Sequence, residues 1–383
     1  MIYMDHNATT PVRPEVLEAM LPFYGPVYGN ASSLHGFGRE AKDGLERARE
    51  QVAKVLGAKP DEVCFTGGGT EADNLAVKGM AWANRDRGDH LITSQVEHHA
   101  VFNTCEYLEK QGFKVTYLPV DSEGRVDPGD VEKAITKETL LVSIMQANNE
   151  TGTVQPIAEI GKIARKRGVY FHTDAVQAFT KLPTRVDELG VDLLSLSGHK
   201  IYGPKGVGCL YIRKGTKLDP LVHGGHHERS HRAGTENVPG IVGLGKAAEL
   251  GAGEMNEEAK KLATLRDRLQ EGILARIPEV RVNARNARRL PGTLSVCFKY
   301  VEGESILLGL DLKGIAASSG SACSSGAIEP SHVLTAMGVP PEEARGSVRF
   351  SLGRQNTEQE VDRVVGELGA ILARLRAMSP LRK

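Results

Sequence analysis

The chain has few cysteines, a single tryptophan and no excess charge of either sign. Its five cysteines among 383 residues form no CxxC pair, and their odd number argues against a disulfide framework or a cysteine-rich zinc site. Lysine plus arginine and aspartate plus glutamate both total 48, so no net charge would draw the chain to nucleic acid or to an anionic membrane.

Long apolar runs are also missing. None approaches the roughly 20 residues that a transmembrane helix needs. The first residues, MIYMDHNATTPVRPE, show neither a basic leader nor an apolar segment of the kind that signal peptides carry. We therefore expect no signal peptide, no membrane partner and a cytoplasmic protein.

Cys323 differs from the other cysteines in its surroundings. The other four lie in strand-like or helical contexts that suggest small buried residues: Cys64, Cys105, Cys209 and Cys297. Cys323 lies instead in SSGSACSSG, which contains nothing to bury it. Because an exposed thiol is poorly tolerated without a function, we interpret Cys323 as a reactive group.

Between about residues 61 and 211, short apolar runs alternate with amphipathic stretches. The runs that we predict to be strands are EVCFT, HLITS, FKVTYL, LLVSIMQA, VYFHTD, DLLSLS and VGCLYIR. This alternation predicts an α/β fold, with a mostly parallel sheet flanked by helices. Nearly all of these strands are apolar on both faces, as buried parallel strands are.

The pattern changes after about residue 251. An apolar helical stripe from Leu262 to Ile273 is followed by short strands and by a last helix that opens with a T-x-x-E capping box at Thr357. We therefore predict a second, smaller α+β domain. The predicted division assigns residues 14–257 to a large cofactor-binding domain, and residues 1–13 and 258–383 to a small domain that carries Cys323.

Polar residues follow the carboxyl ends of five predicted strands. In an open α/β sheet, ligands bind outside that edge. GGGT after the first strand combines backbone N–H groups with a helix start, which suits a phosphate. The other strand ends are followed by His98 and His99, by Asn148, Asn149 and Glu150, by Asp174 and Gln177, and by Ser197, His199 and Lys200.

Pyridoxal phosphate (PLP) is the cofactor that matches these groups best. Its phosphate suits the glycine-rich turn, its aldehyde reacts with a lysine amine, and its ring nitrogen needs a carboxylate to stay protonated. A charge-assisted hydrogen bond of that last kind contributes roughly 1.5–3 kcal/mol. Each signal is weak alone, because GGGT is no Walker A loop and Asp174 could simply cap a helix. Their shared position at one sheet edge favours a common ligand.

With these motifs the sequence resembles the cysteine desulfurases of the NifS/IscS type, fold-type I PLP enzymes of the class-V aminotransferase-like family. The resemblance covers essentially the whole chain and is carried by DHNATTPV, GNASSLHGFGREA, TGGGTEADN, VEHHAV, NNETGTVQPI, HTDAVQ, SGHKIYGPKGVG, HRAGTENV, VEGESILLGL, SSGSACSSG and VRFSLGR. It implies that the protein converts L-cysteine to L-alanine and leaves the sulfur as a persulfide on Cys323.

The resemblance also implies a role for each site residue. Lys200 would bond the PLP aldehyde and later move the Cα proton, Asp174 would bind the ring nitrogen, and Gln177 would reach the 3′ oxygen. His98 would stack on the ring and, because its unperturbed pKa lies near neutrality, carry a proton at the substrate thiol. The phosphate contacts would come from Gly69, Thr70, Ser197 and His199. Asn149 would contact both cofactor and substrate, and Arg349 would bind the substrate carboxylate through its bidentate fork.

Partners follow from the same resemblance. Thr235, in AGTEN, would reach the phosphate of a neighbouring subunit, which implies a homodimer. The sulfur of Cys323 would pass to a protein acceptor such as an iron–sulfur scaffold, while tRNA thiolation and other thio-cofactor pathways stay open.

The sequence leaves other interpretations open. A selenocysteine lyase or an aminotransferase would have the same fold, although Cys323 argues against an aminotransferase. The histidines of VHGGHHERSH suggest a metal site, but two glycines favour a loop and no HExxH occurs, so we predict no metal. Lys200, Asp174 and Cys323 together disfavour a non-catalytic sulfur-transfer scaffold.

Overall fold

The computed structural model describes residues 1–319 and 330–380 of the chain. Within them, the strands are β1 (Ile2–Tyr3), β2 (Val63–Thr66), β3 (His90–Ser94), β4 (Lys114–Leu118), β5 (Thr139–Ser143), β6 (Tyr170–Asp174), β7 (Leu193–Ser197), β8 (Gly208–Ile212), β9 (Val280–Val282), β10 (Thr293–Phe298), β11 (Ile315–Ala316) and β12 (Ser347–Ser351).

The α-helices of the same residues are α1 (Pro14–Met20), α2 (Gly36–Leu56), α3 (Gly69–Asn74), α4 (Met80–Ala83), α5 (His99–Lys110), α6 (Pro128–Ala134), α7 (Ile157–Arg167), α8 (Val186–Leu189), α9 (Val238–Arg276), α10 (Gly303–Asp311), α11 (His332–Ala336), α12 (Pro341–Ala344) and α13 (Glu358–Met378). A π-helical turn, Leu75–Gly79, joins α3 to α4. In the described part of the chain, no helix is both long and apolar enough to cross a membrane.

Seven strands form the large sheet, in the order β2-β8-β7-β6-β5-β3-β4. β8 runs antiparallel to both of its neighbours, and the other pairings are parallel. Every residue of β2, β3, β5, β7 and β8 is buried, whereas the edge strand β4 is partly exposed. The predicted α/β fold with a mostly parallel sheet is therefore confirmed.

Helices cover both faces of this sheet. Because side chains alternate along a strand, Cys64 and Phe65 belong to two different apolar cores. One core joins the sheet to α2, α7 and the start of α9, and the other joins it to α3, α4 and α5. The carboxyl edge of the parallel strands stays between the two helical layers, where the predicted polar residues lie.

A further core, separate from the two that cover the large sheet, lies around a three-stranded antiparallel sheet of order β12-β10-β9. The long helix α9 contributes to two of these cores, through Leu244 to the one that includes α2 and through Leu265 to the one around the small sheet. The predicted domain boundary at residues 257–258 falls inside this helix, and the division into domains stays a prediction. The capping box predicted at Thr357, at the start of α13, is confirmed.

The N-terminal residues run between the two sheets. β1 pairs with β11, and the His6 N–H donates to the Ser351 carbonyl at the end of β12. Four residues further on, the Thr10 N–H donates to the His199 carbonyl, in the turn that follows β7. Residues 2–10 therefore tie the small sheets to the strand end that carries Lys200.

A buried ion pair fixes the loop before α9. Arg49 on α2 donates to both carboxylate oxygens of Glu228, at 2.8 and 2.7 Å, and the Phe65 N–H donates to the same carboxylate at 2.8 Å. Glu228 begins three consecutive residues with left-handed backbone angles, ending at Ser230. Removing either partner of such a buried ion pair would leave an unpaired buried charge, which is strongly destabilising. The pair therefore anchors this strained loop to β2.

Candidate active site

A cavity of about 400 Å³ lies at the carboxyl edge of the large sheet. Ten residues predicted from the sequence line it: Gly69, Thr70, His98, Asn149, Asp174, Gln177, Ser197, His199, Lys200 and Arg349. Thr235, which was also predicted, does not line this cavity and is exposed in the loop before α9. The predicted Cys323 lies outside the described residues.

Lys200 ends a short 3-10 turn, Gly198–Lys200, directly after β7. Its Nζ donates to the carbonyl oxygens of Asn7 and Ala8, at 2.5 and 2.8 Å. The turn is tight, because a Cβ on Gly198 would lie 2.9 Å from the Pro204 carbonyl oxygen. The amine is thus directed into the cavity by the strand end on one side and by the N-terminal segment on the other.

The N-terminal segment is the part of the site to which sequence reasoning assigned no role. The Thr10 hydroxyl donates to the His199 carbonyl, and the Thr9 hydroxyl lies 3.2 Å from His199 Nδ1. The Asn7 side chain donates to the Asn149 carbonyl at 3.1 Å. The motif DHNATT was noted only as part of the resemblance, because no local pattern reveals a contact across 190 residues.

Two buried carboxyl groups line the same cavity as the amine. Asp174, at the end of β6, accepts from the Val176 N–H at 2.8 Å, and burial raises its pKa to about 6 despite the Lys200 charge. Burial also raises the pKa of Asp73 well above its ordinary value, and the Asp174 charge adds to that shift. Asp73 therefore holds its proton more strongly than Asp174 does. Sequence reasoning did not assign a role to Asp73, because its sequence context predicts an ordinary helix.

His98 caps the N-terminus of α5. Its Nδ1 accepts from the Ala100 N–H at 3.1 Å, which leaves Nε2 as the protonated nitrogen of the neutral ring. Burial lowers the pKa of His98 to about 4, with further lowering from Lys200, His99 and His332. The unperturbed imidazole pKa, which lies near neutrality, therefore does not apply in this environment. The role of His98 in proton transfer stays a prediction, and in this state the ring would act as a neutral N–H donor.

The other end of the cavity combines a helix start with two polar side chains. Gly69 opens α3, and a Cβ at this position would lie 2.7 Å from Val176 Cγ2, so only glycine lets the helix start pack so closely. The first N–H groups of a helix have no partner within the helix. Ser197 and His199 lie at the same end of β7 and line the cavity with them. Burial, together with the Lys200 charge, lowers the pKa of His199 to about 4.

Arg349 lies on β12 of the small sheet and reaches the same cavity. Its Nη1 donates to the Asn149 carbonyl at 3.0 Å, and its Nη2 pairs with Asp5 at 2.9 Å. The Nε is buried and has no hydrogen-bond partner among the described residues. The guanidinium therefore keeps a donor for an incoming carboxylate, which would share the cation with Asp5.

These groups fit PLP on the observations above. The raised pKa of Asp174 means that its carboxylate lacks a full counter-charge, which a protonated ring nitrogen would supply. The close-packed Gly69 helix start suits a phosphate, and Lys200 supplies the amine that an aldehyde needs. Gln177, which donates to the Asn7 carbonyl at 2.9 Å, lines the same cavity.

The four histidines of VHGGHHERSH lie apart from this cavity. His226 Nδ1 contacts the Ser230 hydroxyl at 3.1 Å, and His227 Nδ1 accepts from the Gly234 N–H at 3.3 Å. No group of three or more His, Cys, Asp or Glu side chains in residues 1–319 and 330–380 is placed to bind a metal ion.

Comparison with known proteins gives consistent results. The class-V aminotransferase family profile matches residues 2–364. The chain is 56% identical to a protein of Dictyoglomus turgidum named cysteine desulfurase IscS, over 100% of this chain and 97% of that protein. It is 58% identical to the protein of the same name from Methanosarcina thermophila, over 99% and 94%. A solved NifS-like protein superposes with a TM-score of 0.92 at 44% identity, covering 98% of this chain and 100% of that one.

The neutral state of His98 predicts a pH-dependent contribution to stability. In the unfolded chain the imidazole takes up a proton below pH 6.5, whereas in the folded chain it does so only near pH 4. The wild-type protein should therefore lose stability relative to His98→Asn as the pH falls, by about 2 kcal/mol between about pH 7.5 and about pH 5. Asn is chosen because it keeps the helix cap.

Urea unfolding of both apoproteins at the two pH values measures this difference. A stability difference that does not change with pH would show that His98 is protonated equally in the folded and unfolded chains.

Proposed function

The chain belongs to the class-V aminotransferase family and is a PLP-dependent cysteine desulfurase of the NifS/IscS type, and from that premise we propose which of its residues carry the reaction. The observation that supports the assignment most is the single cavity that contains Lys200, Asp174 and His98. The alternatives of a selenocysteine lyase or an aminotransferase find no support, because the relatives compared above are named cysteine desulfurases or NifS-like.

PLP, when bound, supplies an electron sink that makes the Cα–H of an attached amino acid acidic. In our proposal Lys200 bonds the cofactor aldehyde, Asp174 keeps the ring nitrogen protonated, and Gln177 binds the 3′ oxygen. Gly69, Thr70, Ser197 and His199 bind the phosphate. The neutral ring of His98 stacks on the cofactor.

The chain's own residues then act on L-cysteine. Arg349 binds the substrate carboxylate with Asn149 beside it, and this fixes which bond at Cα faces the Lys200 amine. Lys200 takes the Cα proton as the general base. His98 acts at the substrate side chain as a proton donor through Nε2, the nitrogen that carries the proton of the neutral ring.

The sulfur step uses Cys323 as thiolate. Its sulfur bonds to the substrate sulfur, the Cβ–S bond breaks, and the electron pair stays on the carbon. A proton then completes the methyl group, so that L-cysteine and one thiol give L-alanine and one persulfide. We propose that a protein acceptor in iron–sulfur cluster assembly takes this sulfur, as the resemblance to the NifS/IscS type implies.

We also propose a cytoplasmic location. Cys64, Cys105, Cys209 and Cys297 are unpaired thiols, as is usual in a reducing compartment. The proposed chemistry likewise needs Cys323 as a thiol rather than a disulfide.

A homodimer is the assembly that we propose. Large apolar side chains are exposed close together in sequence: Leu17, Leu21, Tyr24, Tyr28, Leu34 and Phe37. A groove beside this segment is lined by Ala31 and Ser32 on one side and by residues 226–229 and Glu236 on the other. One carboxylate oxygen of Glu236 is buried there without a hydrogen-bond partner among the described residues. An apolar face next to an unsatisfied carboxylate favours coverage by a second copy, which would also place Thr235 against the other copy's site.

Replacing the proposed sulfur acceptor tests the function. Cys323→Ser should lower alanine and sulfide formation from L-cysteine by on the order of 100-fold or more, because serine cannot bond the substrate sulfur. Cysteine should still change the absorbance of the bound cofactor, since Lys200 and Arg349 are intact. After one turnover, mass spectrometry should find one extra sulfur atom on Cys323 in the wild type.

Cys105→Ala is the control, because it removes a buried thiol on α5 and should leave turnover close to that of the wild type. Cys323→Ser turning over cysteine at the wild-type rate would assign the sulfur step to another group.

Mixing two defective variants tests the shared site. Thr235→Ala should weaken PLP binding by roughly tenfold, the loss of one hydrogen bond to a charged group. In a 1:1 mixture with Lys200→Ala, half of the sites that retain Lys200 should regain wild-type affinity, because their partner supplies an intact Thr235. Thr264→Ala, an exposed threonine on α9, is the matched control for the substitution. A monomeric protein, or a mixture that regains nothing, would contradict the proposal.

A further inference from the structure

A second lysine, Lys181, binds the side chain expected at the cofactor's ring oxygen. Its Nζ donates to Gln177 Oε1 at 3.2 Å. The other end of the same amide, Nε2, donates to the Asn7 carbonyl at 2.9 Å, and that carbonyl also accepts from Lys200 Nζ. The two amines are therefore connected through one amide and one carbonyl.

This arrangement leaves Gln177 a single satisfactory orientation. An amide has a donor end and an acceptor end that are nearly equal in size, so its hydrogen-bond partners decide which way it lies. Here the oxygen meets a cationic donor and the nitrogen meets a carbonyl acceptor. Rotating the amide by 180° would put the NH₂ against the Lys181 amine and the oxygen against the Asn7 carbonyl, and both bonds would be lost.

We propose that Lys181 is a positioning residue for the cofactor: it orients the Gln177 amide so that an N–H faces the ring oxygen, and it adds a positive charge beside that oxygen. The inference rests on the proposed role of Gln177 in binding PLP. It goes further in assigning a function to a lysine that does not line the cavity.

The charges around Lys181 support a functional rather than a purely structural role. Burial is the largest cause that lowers the pKa of Lys181, and the charges of Lys200 and Arg349 lower it further, while Glu258 opposes them; the resulting pKa is about 7. The nearby His6 and His199 are both neutral at pH 7. A cation in such surroundings is stabilised by any anion that enters the cavity, and the phosphate and ring oxygen of PLP are anions.

Two substitutions separate charge from structure. Lys181→Met keeps the length of the side chain and removes the donor, whereas Lys181→Arg keeps a cation and a donor. Two readouts need no turnover: the dissociation constant of PLP from the apoprotein, and the pH midpoint at which the absorbance of the bound cofactor changes. Lys133→Met is the matched control, because Lys133 is exposed and pairs with Asp130 near the N-terminus of α6.

Lys181→Met should raise the dissociation constant roughly tenfold or more, as expected for one charge-assisted hydrogen bond. It should also move the absorbance midpoint upward by roughly half a pH unit or more, because removing a cation raises the proton affinity of the group next to it. Lys181→Arg should recover most of both effects. Lys133→Met should match the wild type in both readouts.

A double-mutant cycle assigns the effect to Gln177. In a Gln177→Ala background, Lys181→Met should raise the dissociation constant of PLP by much less than it does in the wild type, because the amide that Lys181 orients is gone. Equal changes of the dissociation constant in the two backgrounds would overturn the inference. So would a Lys181→Met protein that is less stable to heat but has an unchanged affinity and midpoint.

The design also distinguishes the two proposals. If the wild-type protein binds PLP and Lys181→Met behaves like it, this inference fails while the proposed function stands. If the wild-type protein binds no PLP, both fail. If Lys181→Met does not fold, Lys181→Arg and Lys181→Gln test the inference instead, because only the arginine retains the cation.

Discussion

The hydrogen bonds from the Lys200 amine to the carbonyls of Asn7 and Ala8 are the constraint on which the site depends. They hold the lysine side chain in the cavity at the carboxyl edge of the large sheet, which Asp174 and Arg349 also line. An amine held at that position can bond a cofactor aldehyde.

The N-terminal segment that accepts these hydrogen bonds also connects the core of the large sheet with the core of the small sheet. Residues 2–10 pair with β11 and β12 and then contact the turn after β7, so the small sheet and the large sheet meet at the lysine. Arg349 reaches the cavity from the small sheet, while Asp174 and His98 reach it from the large one. A substrate bound between Lys200 and Arg349 would therefore contact both parts of the protein, and any relative movement of them would change the distance between amine and carboxylate site.

Sequence reasoning predicted the groups at the strand ends because their position follows from local pattern. Apolar runs place the strands, and the residue after each parallel strand must lie at the same sheet edge. It did not predict the roles of Asn7, Asp73 or Lys181, because those depend on contacts between distant segments. The lowered pKa of His98 could not be predicted for the same reason: burial and a neighbouring lysine lower that pKa, and neither is visible in VEHHAV. The predicted domain boundary falls inside α9, a continuous helix that contributes to two cores, and it stays a prediction.

Reduction of the PLP-loaded protein with borohydride, followed by peptide mass spectrometry, tests the central claim most directly. Borohydride makes the bond between a lysine amine and the cofactor aldehyde permanent, so the modified residue can be read from its peptide. Our account predicts a single pyridoxyl group on Lys200 and none on Lys181, although both amines lie close to the site. A label on Lys181 or on any other lysine, or no label at all, would contradict it.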